Sequence, residues 1–169
     1  RQSEHTVLCQ CNVMQWRAAG TGLVTLKSNE YFKGNPGVNG GGGVLRDSKG
    51  RFLLGYLVCL GVGTSLRAEV LALLVGLRLC DQKGFTRVRV QSNSWVLVGI
   101  LQHRFQCPWQ VRREVFNIWQ LADDPGHDSH FFRETTTVAD ILANVGVFHP
   151  LVQMKVYSHM LPQLARRAS

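Results

Sequence analysis

The first third of the chain alternates between strand-like segments and turn residues. An extended pattern covers residues 23–31 and breaks at the Gly-Asn-Pro-Gly stretch 34–37. The four glycines at 40–43 follow and, by hairpin geometry, carry the chain into a second apolar segment. Residues 47–50 (Asp-Ser-Lys-Gly) are typical of a turn, and residues 52–60 indicate a further strand. The pattern predicts a three-stranded antiparallel meander.

The hydrophobic period then changes from strand-like to helical. Apolar residues recur at a spacing of three and four at Leu66, Val70, Leu73, Leu74 and Leu77. Thr64 or Ser65 can supply the N-cap of this helix. The helix should end near Gly84, because glycine readily adopts the left-handed conformation of a C-terminal cap.

The second half of the chain continues with shorter elements. Arginine and valine alternate in a predicted strand at residues 86–91, and the patterns then indicate helices at 94–101 and 109–121. A short strand at 130–133 and a helix at 138–145 complete the order βββ-α-β-α-α-β-α. This order predicts an α/β fold with a mixed five-stranded sheet and helices packed across its faces.

The predicted elements fit one domain. A polar lead-in at residues 1–20, a domain at 21–146 and a loop-like extension at 147–169 account for all 169 residues. The longest apolar run, residues 52–63, is too short to span a bilayer, so we expect no membrane partner; we expect a monomer. The N-terminus lacks a signal-peptide pattern. The chain starts at Arg1, which leaves open whether it is a fragment of a longer protein that carries a targeting segment.

Charge points to a class of partner. Nineteen Lys and Arg against eleven Asp and Glu give a net charge of +8. A polyanion such as nucleic acid suits this charge, because neutralised phosphates release counterions. An ordinary basic surface is the alternative.

The cysteines indicate the redox environment. The five cysteines are odd in number and irregularly spaced, which favours reduced thiols in an intracellular compartment, nucleus or cytoplasm. Cys9, Cys11 and His5 resemble half of a zinc site, but no second pair at zinc spacing follows them.

Four segments at junctions between predicted elements carry the candidate chemistry. Residues 27–37 read Lys-Ser-Asn-Glu-Tyr-Phe-Lys-Gly-Asn-Pro-Gly, and residues 64–69 read Thr-Ser-Leu-Arg-Ala-Glu. Residues 91–94 read Gln-Ser-Asn-Ser, and residues 130–140 contain His-Phe-Phe-Arg-Glu and Val-Ala-Asp. With these segments in this order, the chain resembles the plant ribonuclease H-like domains related to non-LTR retrotransposon polyproteins. The similarity extends from about residue 16 to residue 144.

The resemblance implies a ribonuclease H-like fold and hydrolysis of the RNA strand of an RNA–DNA hybrid with two Mg²⁺ ions. Such ions activate a water and stabilise the leaving oxygen, and they require converging oxygen ligands. The resemblance places those ligands at Asn29, Glu69, Asn93 and Asp140. It also assigns His130, ten residues before Asp140, to product release or proton transfer.

The chain departs from the family at the proposed ligands. The family has aspartate at the positions of Asn29 and Asn93, so the formal charge of the four ligands falls from −4 to −2. This change should weaken both metal ions, leaving Glu69 and Asp140 as the remaining acidic ligands. Glu30 replaces a family glycine and Thr136 a family asparagine. Because neighbouring side chains of a strand point to opposite faces, we expect Glu30 not to compensate for Asn29.

Several other residues are candidates for nucleic-acid contacts, each with a structural alternative. Asn35 can meet a nucleic-acid backbone, as the resemblance implies. Thr64 and Ser65 can bind a phosphate or cap the helix, or do both. Arg112 and Arg113, which share a helix with Trp109 and Trp119, resemble a basic handle for the hybrid; a solvated charged face is the alternative.

Three hypotheses follow for the function. The first is a hybrid-directed endonuclease that is weak or inactive. The second is a non-catalytic nucleic-acid-binding domain, and the third is a protein-interaction module derived from a retroelement. Whether any enzyme activity remains is left open by the sequence.

Overall fold

The predicted meander forms the centre of the fold. The computed structural model describes residues 22–34, 37–133 and 154–157. Strand β1 spans Val24–Gly34, β2 spans Gly37–Arg46 and β3 spans Phe52–Gly63. β1 and β2 are antiparallel, with Leu26 opposite Leu45, and β2 and β3 are also antiparallel. The turn at 47–50 is closed by the Gly50 amide, which donates to the Asp47 carbonyl at 2.9 Å.

The sheet is mixed, and its described residues form six strands in the order β5-β4-β1-β2-β3-β6. β4 (Arg87–Ser92) runs parallel to both β1 and β5 (Asp128–Arg133). The expected count of five is one too low, because β6 (Met154–Tyr157) pairs with β3 inside the segment expected to be loop-like. Pairing with a strand distant in sequence forms β6, and a four-residue pattern is too short to indicate it.

In the part of the chain that the structure describes, three α-helices lie between the strands. Helix α1 (Ser65–Gln82) begins at Thr64, whose hydroxyl accepts the Arg67 amide at 3.3 Å, and it is followed by Gly84 at φ +79°. Helix α2 spans Trp95–Leu101 and helix α3 spans Arg112–Asp123. The predicted start of α3 at Trp109 is corrected, because Trp109–Val111 forms a 3-10 turn instead. The helix predicted at 138–145 lies outside the described residues.

The hydrophobic core lies between the sheet and the helices. The buried face of α1 packs against apolar residues of β1, β2 and β3, including Leu26, Leu45 and Tyr56. Val115 and Ile118 of α3 are buried in the same core. Trp119 is half-buried, and its indole N–H donates to the Leu101 carbonyl at 3.2 Å. In the described part of the chain, no helix is long and apolar enough to cross a membrane.

The four glycines at 40–43 lie within β2 and not in a hairpin turn, which corrects the prediction for this stretch. An added Cβ at Gly41 would lie 2.7 Å from the Ala72 Cβ, and one at Gly43 would lie 2.4 Å from the Tyr56 ring. Because real Cβ atoms do not approach other atoms so closely, a larger residue at either position would push α1 or Tyr56 away. The glycines therefore allow β2 to approach α1 closely.

The two cysteines whose environments are described differ in burial. Cys80 and Cys107 are free thiols. Burial, and then the neighbouring Asp81 carboxylate, raises the pKa of Cys80 to about 12. Burial also raises the pKa of the half-buried Cys107, and this effect is opposed by Arg112.

We predict that iodoacetamide at pH 8 modifies Cys107 much faster than Cys80 in the folded protein. The thiolate is the reactive form, and Cys80 combines a high pKa with burial. Peptide mapping by mass spectrometry measures the two rates separately. Labelling in guanidinium serves as the control, because unfolding should equalise them. Equal rates in native buffer would contradict the burial of Cys80.

Candidate functional site

Polar residues gather where β1, β4, α1 and α2 meet. We call them the polar cluster: Asn29, Glu30, Glu69, Ser92, Asn93 and Ser94. β1 and β4 are in parallel register with Ser28 opposite Ser92. Asn29 follows Ser28 within β1, and Asn93 follows Ser92, the last residue of β4. Both are predicted ligand positions, and the register places them at the same end of the β1–β4 pair. Glu69 reaches this place from the second turn of α1, because its carboxylate contacts the residue after Asn93. The register of β1 and β4 and the Ser94–Glu69 contact thus place three of the four predicted ligand positions at one end of the β1–β4 pair.

Ser94 connects the elements of the cluster. Its hydroxyl donates to Glu69 Oε2 at 2.6 Å and accepts the Leu97 amide at 3.2 Å as the N-cap of α2. Its own amide donates to the Ser92 hydroxyl at 3.2 Å. Ser94 therefore fixes the Glu69 carboxylate relative to the end of β4 and the start of α2.

Glu30 is the second carboxyl group of the cluster. Glu30 lies opposite Gly41 of β2. The α1 side of Gly41 is identified by Ala72, whose Cβ would lie 2.7 Å from a Cβ added at Gly41. Residues directly opposite each other in an antiparallel pair share a face of the sheet. Glu30 therefore faces α1, and it forms a side-chain hydrogen bond with Glu69. Asn29 and Glu30 face opposite sides of β1, as alternation predicts, and Glu30 is the one on the α1 face, beside Glu69.

The pKa of Glu69 is raised by burial, and the hydrogen bonds with Ser94 and Glu30 oppose that rise. A hydrogen bond between two carboxyl groups requires a proton on one of them. The sequence contained a signal for this contact: the family has glycine at the position of Glu30, and glycine leaves that space empty. The replacement of this glycine by Glu30 indicates a contact with Glu69 only when the register between β1 and β2 is known.

Asn29 is buried, with 4% of its surface exposed. Its Oδ1 accepts the backbone amide of Glu30 at 2.9 Å. Its Nδ2 has no hydrogen-bond partner among the described residues. The amide thus directs its oxygen to the adjacent backbone and offers a donor, where a metal ion would need an oxygen.

His130 is not brought to this cluster. It lies on β5 opposite Arg89, and its Nε2 is 2.9 Å from Asp128 Oδ1. Arg89 precedes Asn93 by four residues, which corresponds to ~13 Å along a strand. Asp140, the fourth ligand position, and Asn35 lie outside the described residues.

The predicted nucleic-acid contacts lie on two helices. Thr64 is the N-cap of α1, which is the structural role expected for it as an alternative to phosphate binding. Ser65 is the first residue of that helix. Arg112 and Arg113 are exposed at the start of α3. Among the residues the structure describes, no group of three His, Cys, Asp or Glu is arranged to hold a metal ion.

Comparisons with known proteins identify the family of the chain. The model of the reverse transcriptase-like family matches residues 28–146. A protein of Arabidopsis thaliana that bears the name of a ribonuclease H protein is 29% identical over 131 residues. That match covers 76% of this chain and 21% of the relative, so the chain spans about a fifth of the length of this curated relative.

Solved structures show the same fold. Ribonuclease H1 from Halobacterium salinarum superposes with a TM-score of 0.69 at 23% identity, covering 75% of this chain and 98% of that one. A compost-derived ribonuclease H1 in complex with an RNA/DNA hybrid gives a TM-score of 0.70 at 23% identity, covering 76% and 99%. The family match extends over more than half of the chain, and the sheet order and the superpositions agree with it. The chain therefore belongs to the reverse transcriptase-like family, as a ribonuclease H-like domain of the retrotransposon-related type.

Proposed function

We propose that this domain binds RNA–DNA hybrids and that its hydrolytic activity is impaired. The observation that carries the proposal is the composition of the polar cluster. Of the three predicted ligand positions in the described residues, Asn29, Glu69 and Asn93, only Glu69 is a carboxylate. The fold family supports a relationship to nucleic-acid hydrolases, and the substitutions argue against full activity.

The described residues do not fit a pair of Mg²⁺ ions. Two divalent cations need several anionic oxygen ligands to offset their charge. Asn29 uses its oxygen on the Glu30 amide, and the Glu30 carboxyl is hydrogen-bonded to Glu69. Two neighbouring carboxyl groups oppose the ionisation of each other, which leaves less negative charge for a metal ion. We therefore derive no catalytic step through metal ions at this site.

The features suited to binding are retained. The chain carries a net charge of +8. Exposed Arg112 and Arg113 lie at the start of α3, and the N-terminus of α1, with Thr64 and Ser65, can accept a phosphate. Proteins recognise a mixed duplex by its shape, its 2′-hydroxyls and its phosphates, none of which requires a metal ion. The hybrid-bound structure of the compost ribonuclease H1 supports this choice of ligand.

We predict salt-dependent binding of a labelled RNA–DNA hybrid, with little cleavage in Mg²⁺ or Mn²⁺. Affinity should fall as salt rises, because phosphate contacts release counterions. Replacing Arg112 and Arg113 by alanine should lower the slope of log K against log salt by about 1 for each lost phosphate contact. Fluorescence anisotropy measures the affinity, and gel analysis measures the cleavage.

Two controls make this test specific. Arg51→Ala removes an exposed arginine from the β2–β3 turn, where it pairs with Asp47 at 2.7 Å, and it should leave the slope unchanged. A catalytically intact ribonuclease H1 calibrates the cleavage assay. Cleavage at a rate similar to that enzyme would show that the substitutions do not impair activity. Hybrid affinity insensitive to salt would favour a protein-interaction module.

A further inference from the structure

The outer face of β4 and β5 carries an unusual set of side chains. Along β4, the exposed Arg87 and Arg89 alternate with the buried Val88 and Val90, so the arginines lie on the outer face. The parallel register places His130 beside Arg89 and Phe132 beside Gln91. We call the surface formed by Arg87, Arg89, His130 and Phe132 the β4–β5 outer face. It lies on the side of the sheet opposite to the core, where Val88 and Val90 pack.

Phe132 is the apolar centre of this surface. It is 46% exposed, whereas its neighbour Phe131 packs against the core. The Arg89 guanidinium lies 5.8 Å from the Phe132 ring centroid, and the His130 ring lies 6.5 Å away at an interplanar angle of 58°. An exposed aromatic ring bordered by a cation and by a second ring is a platform on which a further planar group can stack.

The surface is also positively charged. Arg87 and Arg89 are both exposed. The acidic residue beside them, Asp128, is 2.9 Å from His130 Nε2. Protein surfaces that bind single-stranded nucleic acid combine aromatic rings, which stack on bases, with cations that follow the phosphates. A duplex keeps its bases stacked inside and cannot offer them to a sheet face.

We propose that the β4–β5 outer face binds single-stranded nucleic acid, with Phe132 stacked on a base and Arg87 and Arg89 at the phosphates. This site is separate from the polar cluster, since Arg89 precedes Asn93 by four residues, or ~13 Å of strand. It does not depend on the proposed function, because the residues involved are not those assigned to hybrid binding.

A second copy of the chain is the main alternative occupant, because β5 is an edge strand and edge strands can pair with other chains. Charge argues against it: both copies would present Arg87 and Arg89, and each carries a net charge of +8. An acidic peptide would satisfy the arginines but would leave the Phe132 ring without a planar partner. Single-stranded nucleic acid satisfies both features.

The test measures binding of fluorescent 12-nucleotide oligo(U) and oligo(dT) to the whole chain by anisotropy. Phe132→Ala should weaken binding by roughly 5- to 100-fold, the effect of losing one stacked base. Phe132→Trp should preserve it. Arg89→Ala should lower the salt slope by about 0.7, as expected for one lost phosphate contact on a single strand, while Phe132→Ala leaves the slope unchanged.

Phe116→Ala and Arg78→Ala are the matched controls. Phe116 is 55% exposed on α3, and Arg78 is exposed on α1, so both lie on helices packed against the other side of the sheet. Both variants should bind the oligonucleotides like the unaltered chain. Circular dichroism and thermal melting establish that each variant is folded.

Three results would overturn the proposal. Unchanged oligonucleotide affinity in Phe132→Ala would exclude stacking on this ring. An equal loss in Phe116→Ala would place the binding elsewhere. Sedimentation that shows self-association, abolished by Phe132→Ala without an effect on oligonucleotide binding, would assign the surface to a second copy. RNA–DNA hybrid affinity, measured in parallel, should be the same in Phe132→Ala and in the unaltered chain.

Discussion

Replacing Asn29 and Asn93 by aspartate and Glu30 by glycine is expected to produce Mg²⁺-dependent cleavage of RNA–DNA hybrid, at least about 100-fold faster than the unaltered chain. The change restores two anionic ligands and releases Glu69 from its hydrogen bond with Glu30. A bound metal ion stabilises transition-state charge by several kcal/mol, and each 1.36 kcal/mol corresponds to about tenfold in rate. Single-turnover cleavage measures the rate, and calorimetry measures Mg²⁺ affinity.

Intermediate variants separate the effects of charge and of Glu30. Asn29→Asp with Asn93→Asp alone should gain less Mg²⁺ affinity than the triple variant, because Glu30 still bonds to Glu69. Glu69→Gln in the triple background should remove the gain. If the triple variant is folded and binds Mg²⁺ no better than the unaltered chain, the assignment of the ligand positions is wrong. Hybrid binding without cleavage would still be compatible with the rest of the proposal.

The parts of the fold that follow from local periodicity were predicted correctly. The change of period after residue 63 places α1, and Thr64 and Gly84 mark its ends to within two residues. The strand β6 was missed because it depends on pairing with β3, which is distant in sequence. The glycines at 40–43 were included in a hairpin that spans residues 34–43; their use for close packing depends on what lies opposite them in space.

The candidate site also has features that follow from the sequence and one contact that does not. The positions of Asn29, Glu69 and Asn93 were proposed from motif order, and the β1–β4 register and the Ser94–Glu69 hydrogen bond place their elements next to one another. The contact between Glu30 and Glu69 could not be predicted from alternation along β1 alone. Alternation shows that Asn29 and Glu30 face opposite ways, but it does not show which of them faces α1.

Tyr56→Ala is expected to destabilise the protein by about 3–5 kcal/mol, as for other large-to-small changes of buried aromatic residues. Tyr56 is fully buried, and its hydroxyl donates to the Ala72 carbonyl at 2.7 Å. The loss is a large part of the roughly 5–15 kcal/mol that stabilises a typical domain. Tyr56→Phe, which removes only the hydroxyl, should cost about 1 kcal/mol. Urea unfolding measures both variants, and equal losses would show that the ring contributes little.

A double-mutant cycle tests whether the ring explains the glycines around it. An added Cβ would lie 2.4 Å from the Tyr56 ring at Gly43 and 2.5 Å from its hydroxyl at Gly76. Gly43→Ala alone should therefore destabilise the fold by ring displacement. In the Tyr56→Ala background the same change enters the space that the ring has left, so the two losses should sum to more than the loss of the double variant. Additive losses would mean that Gly43 is required for a reason other than the Tyr56 ring, such as its contribution to the backbone conformation of β2.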